Sequence, residues 1–100
     1  MISFEQIRDD LRDIRYYYAH RAVFDDNVTS VGANIVKQKV ERYNSLIIIA
    51  SPKLYDLYVG LYVTGYTHGA YALKFGYAMT YIHKINGELM KFFQKNLKEN

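Results

Sequence analysis

From Phe4 to Leu97 the apolar residues return every three or four positions and nowhere alternate over a useful length. A 3.6-residue period leaves the α-helix as the one regular structure in which this chain can bury a continuous apolar face. The chain has 100 residues, one Pro and no Pro-, Gly- or Ser-rich run that reads as a linker, so one domain is expected. Half of its residues are apolar, enough for a core that needs no covalent staple. None is available, because there is no Cys, and that absence excludes disulfides, thiol catalysis and Cys-type zinc sites. The expected class is all-α, with about five helices: an N-terminal helical hairpin over 1–50, then a three-helix unit over 51–100.

The first helix is expected from residue 3 to about 24, with Phe4, Ile7, Leu11, Ile14 and Tyr18 on its apolar stripe. Ser3 is placed to cap it, Gln6 to complete a capping box, and Ile2 with Ile7 to form a hydrophobic staple. Asp25-Asp26-Asn27 and Thr29-Ser30 favour a turn. A second helix over about 31–50 follows, with Val36, Val40, Tyr43, Ile47 and Ala50 on one face. Ser51-Pro52 ends it and opens a third, which carries Leu54, Leu57, Tyr58, Leu61 and Tyr62. Gly65-Tyr66-Thr67 interrupts that pattern. Thr67 suits the cap of a short helix reaching about Phe75, and Gly76 suits the left-handed residue that stops it. Ile82, Ile85, Leu89 and Phe92 mark a last helix to about Leu97.

A short capped helix, a Gly-containing turn and a longer helix are the parts of a helix-turn-helix. Ala72 permits close approach of the two helices, Tyr71 and Phe75 are expected to fill the wedge, and Ile82 with Ile85 to close it. If Ile82, Ile85 and Leu89 point inward, the helical period turns Met79, Thr80, His83, Lys84 and Gly87 outward. Thr80, His83 and Lys84 become candidates for base contact, Thr67 and Lys74 for phosphate. Ala78 and Met79 at the helix start and Lys91 further along it join the candidate set. Tyr77 and Tyr81 flank that start and suit either packing or a phosphate contact through the hydroxyl.

Gly65-Tyr66-Thr67, Ala72, Phe75-Gly76-Tyr77 and Ile82 together resemble the helix-turn-helix of region four of bacterial sigma factors and their phage relatives, over about a third of the chain. The resemblance implies promoter-type DNA recognition and contact with RNA polymerase. Two departures stand out. Gly69 and Ala70 occupy positions where the family usually has Glu, and Ala78 replaces a Ser or Thr cap whose loss costs about 1 kcal/mol and one phosphate-facing hydroxyl. By architecture the whole chain is also similar to small regulators encoded by phages and mobile elements.

Charge agrees with a nucleic-acid partner. Residues 1–50 carry seven basic and seven acidic side chains, residues 51–100 six and three, so the whole net charge of +3 lies in the second half. Lys84, Lys91, Lys95 and Lys98 recur along one side of the last helix. Three to five phosphate contacts give only salt-sensitive binding, so useful affinity for double-stranded DNA implies a homodimer or docking on RNA polymerase. A rival reading makes the same scaffold a protein-binding adaptor or inhibitor acting on the polymerase.

Other patterns point nowhere sharper. His20, His68 and His83 share no metal-ligand spacing. Asp9, Asp10 and Asp13 alternate with Arg8, Arg12 and Arg15 and read as surface ion pairs. Gly60, Gly65, Gly69 and Gly76 lack a phosphate-loop register. Gly87 costs about 1 kcal/mol in a helix and permits close approach to DNA or a partner. Tyr16-Tyr17-Tyr18 spans enough of a helix to place one ring inward and another at a dimer contact, with base stacking as the other use. Tyr55, Tyr58 and Tyr62 read as core or near-core. No cofactor, catalytic group or small-molecule substrate is expected. The acidic start and short apolar runs argue against a signal peptide or membrane span, and the expected location is cytoplasmic.

Overall fold

A computed structural model describes residues 1–26 and 30–97, and all of its regular structure is helical. The helices are α1 (Phe4–Ala19), α2 (Arg21–Asp26), α3 (Val31–Ile47), α4 (Pro52–Tyr58), α5 (His68–Phe75) and α6 (Met79–Asn96), and α4 continues into a π-helical segment, Val59–Thr64. No helix among the described residues is long and apolar enough to cross a membrane. The expected turn at Asn27 and Thr29, and Lys98 of the basic stripe, lie outside the described residues.

Local chemistry explains most boundaries. Ser3 Oγ accepts from the Gln6 backbone N–H at 3.1 Å and Ser30 Oγ from Ala33 at 3.4 Å, each satisfying a first-turn donor that the helix cannot. The capping box at Ser3 stays half-made, because the Gln6 amide turns instead to Asp10 Oδ1 at 2.9 Å. The first helix stops earlier than its periodicity suggests. His20 leaves helical geometry at φ −128°, and the chain restarts as the short α2. The second helix also ends early, at Ile47. Ile49 and Ala50 close three-residue turns onto Leu46 and Ile47, as the residues leading into Ser51-Pro52 abandon the α conformation.

One continuous core joins every helix except α2. Ile7, Leu11 and Ile14 of α1, Tyr43 and Ile47 of α3, Leu57, Tyr58 and Leu61 of α4 with its π segment, and Ile82, Ile85, Leu89 and Phe93 of α6 are all buried. The inward residue of the last turns is Phe93 rather than Phe92, because the stripe steps by four after Leu89 and continues to Leu97. Phe4 is more than a third exposed, so α1 anchors through Ile7 onwards. Of the tyrosine triplet, Tyr17 is buried, Tyr18 half-buried and Tyr16 exposed. Tyr55 is exposed, while Tyr58 and Tyr62 pack inward.

Polar ties cross the core. Asn44 on α3 donates to the Tyr18 hydroxyl and accepts from the Tyr58 hydroxyl, at 2.8 and 2.7 Å, so one amide links α1, α3 and α4. Asp10 departs from the surface role read from the sequence. It is only 5% exposed and accepts from the Tyr43 hydroxyl at 2.7 Å, with Lys39 Nζ 3.4 Å away and bonded to Asp13 at 2.8 Å. Burial, reinforced by Asp10, pushes the Tyr43 phenol far above its ordinary range, which keeps it a donor. Asp9 does make the expected exposed ion pair, with Arg12.

The π segment sets up the second half. Its wider winding brings Gly60 under the ring of Tyr71, where an added Cβ would stand 2.3 Å from a ring carbon. Gly60→Ala is therefore expected to destabilise the fold by about 1–3 kcal/mol through overpacking. Gly87→Ala, whose Cβ meets nothing within 4 Å, should stabilise it by up to about 1 kcal/mol. Opposite shifts of the urea midpoint for the two variants are the measurement.

Candidate nucleic-acid interface

Three short-range devices aim α5 and α6. Gly65 adopts φ 92° and closes the π segment with its N–H on the Gly60 carbonyl at 3.1 Å. Thr67 Oγ1 accepts from the Ala70 N–H at 3.0 Å and starts α5. Gly76 at φ 74° ends it, and Tyr77 N–H returns to the Ala72 carbonyl at 2.8 Å. Ala78 then begins α6 with no side-chain cap.

Between the two helices the buried residues are Tyr71, Ala72, Ile82 and Ile85. Phe75 is not among them. Half of its surface is open, because Tyr71 already fills the wedge and holds Phe75 against its outer edge at 4.7 Å between ring centroids. Met79, Thr80, Tyr81, His83, Lys84 and Lys91 are all exposed, and Gly87 is half-buried. Thr67, Lys74 and Tyr77 are exposed as well.

These candidates fall into two flanks around the start of α6. On one flank Tyr77 stacks with Tyr71 and meets Tyr81 at 5.0 Å, and Lys74 Nζ lies 5.4 Å from the Tyr66 ring centre. Asp56 stands near enough to Tyr71 to help burial raise that phenol above its ordinary value. On the other flank the rings of His83 and His68 stack at 5.5 Å. Burial, then His83 and Arg15, hold the His68 imidazole below its ordinary value, so it is neutral at pH 7. Further along α6, Glu88 interrupts the lysine stripe and is met by Lys53 of α4 at 3.4 Å.

Two participants were invisible in the sequence. Arg15 of α1 donates from Nη2 to the Gly65 carbonyl at 2.8 Å, a contact across 50 residues that no local pattern announces. His68 reaches His83 only once the turn at Gly76 folds α5 back onto α6. Among the described residues no cluster of three metal-ligating side chains occurs. No protein-family model, curated protein or solved structure matches this chain. The reading of its function therefore rests on the geometry.

Proposed function

We propose that this protein is a sequence-specific DNA-binding transcriptional regulator of the sigma region-four type, entering the major groove with α6. One observation carries the reading. Ile82 and Ile85 seat α6 on the core and leave Met79, Thr80, His83 and Lys84 exposed at the end that projects past α5. A helix of about 10–12 Å diameter fits a groove about 12 Å wide, and side chains of these types read base edges there. Thr67 and Lys74 supply phosphate contacts, Lys91 lies two turns after Lys84 on the same side, and the excess positive charge of this half supplies non-specific attraction. So few contacts give modest affinity alone, and a homodimer or RNA polymerase supplies the remainder.

The test is binding to duplexes selected from random DNA. Thr80→Ala and Lys84→Ala are each expected to weaken binding about 5- to 150-fold, the range of one good base contact. Both substitutions are exposed and leave the melting temperature unchanged. Unaltered affinity in both variants overturns the assignment of α6.

A second reading is favoured by a specific surface. Leu73 is 86% exposed, and Phe75, Tyr77 and Met79 beside the turn are each at least 40% exposed. Aromatic and Met side chains in such a patch suit a protein partner. An adaptor would bind purified RNA polymerase in the absence of DNA and lose that binding in Leu73→Ser/Phe75→Ser.

A further inference from the structure

We infer that a recess between α1 and the end of the π segment seats a phosphate of the DNA backbone, so that the duplex is gripped by α1 as well as by α6. The inference deepens the DNA-binding reading and rests on it. The recess has a volume of about 390 Å³ and is lined by Arg12, Arg15, Tyr16 and Tyr18 on one wall and Val63 and Thr64 on the other. No carboxylate lines it.

Arg15 is the centre of the site. Its guanidinium is fixed by the Gly65 carbonyl, and among the described residues no acid pairs with it. A guanidinium has five N–H donors in a planar fork, so one bond to a carbonyl leaves a bidentate pair for a phosphate. Arg12, one turn earlier, is bonded to Asp9, but both groups are exposed and can share a phosphate without a buried charge being stranded.

Position links the recess to the groove-entering helix. Lys84 and His83 lie on α6, His83 stacks on His68 of α5, and Arg15 is near enough to His68 to oppose its protonation. Cationic and imidazole groups thus run from α6 across the start of α5 to α1. On the opposite flank Asp56 stands beside Tyr71. A backbone strand leaving the groove meets attraction on the Arg15 side and repulsion on the other.

The experiment is a salt titration of binding to the selected duplex and to a scrambled one, read by fluorescence anisotropy. Arg15→Gln is expected to weaken binding 5- to 10-fold on both duplexes and to reduce the steepness of log affinity against log salt by about 1. Arg15→Lys keeps the steepness. Arg12→Gln, which breaks only an exposed pair, reduces both quantities less and covers the case in which Arg15→Gln lowers the melting temperature. Arg42→Gln on α3, outside the recess, serves as the matched loss of one charge.

If Arg15→Gln and Arg12→Gln both behave as Arg42→Gln does while Thr80→Ala still loses affinity, the recess is not a phosphate site and the reading of α6 survives. If the unsubstituted chain binds neither duplex, both ideas fall together.

Discussion

Phe93→Ala is expected to destabilise this protein by about 4 kcal/mol, the range for truncating a fully enclosed Phe, and to lower Tm by roughly 20 °C. Phe93 is wholly inaccessible to solvent, its ring lies 4.7 Å from that of Tyr43 and 5.8 Å from that of Tyr58, and so it joins α3, α4 and α6 at one point. A cavity there cannot close without moving two tyrosines whose hydroxyls are tied to Asp10 and Asn44. For a domain stabilised by about 5–15 kcal/mol, such a loss leaves a large unfolded fraction at 37 °C. Phe75→Ala is the informative partner. Its ring is half exposed, so a cost below about 1 kcal/mol is expected. Chemical denaturation of the two variants reads the difference, and equal losses would contradict the packing described here.

The second large effect is expected at Asp10. Asp10→Ala removes the acceptor of the buried Tyr43 hydroxyl and one of two acidic neighbours of Lys39, at a cost of about 2–3 kcal/mol. Tyr43→Phe leaves the carboxylate short of its strongest donor and costs about 2 kcal/mol by the same reasoning. The double variant is expected to fall short of the sum by about 1–2 kcal/mol, because each single change already breaks the shared bond. Strict additivity would mean that the bond contributes nothing.

Helix class and most element starts were legible because they are encoded locally. Ser3, Ser30 and Thr67 cap their own neighbours, and Gly65 and Gly76 take the backbone conformation that other residues resist. Breaks that depend on tertiary packing were not. The period that places Leu89 inward allows a next step of three or four residues, and only the fit against Tyr43 selects Phe93 over Phe92. Asp10 sits in a run of acids and arginines that looks solvated, and its burial follows from a phenol 33 residues away. Phe75 looked enclosed because the pattern cannot know that Tyr71 already occupies the wedge. At the candidate interface, the exposure of Thr80, His83 and Lys84 followed from Ile82 and Ile85 alone. Arg15 could not be placed beside Gly65 without the fold.

The six residues from Val59 to Thr64 carry one further implication, for the kinds of length change this lineage can absorb. A π winding holds about one residue more per turn than an α winding, so deleting one residue there would let the helix regularise while swinging all that follows by about 100°. Tyr71 would leave its seat over Gly60, and the carbonyl that pins Arg15 would turn away. Relatives of this chain should vary freely in length on either side of α2, and hardly at all between Leu57 and Thr67.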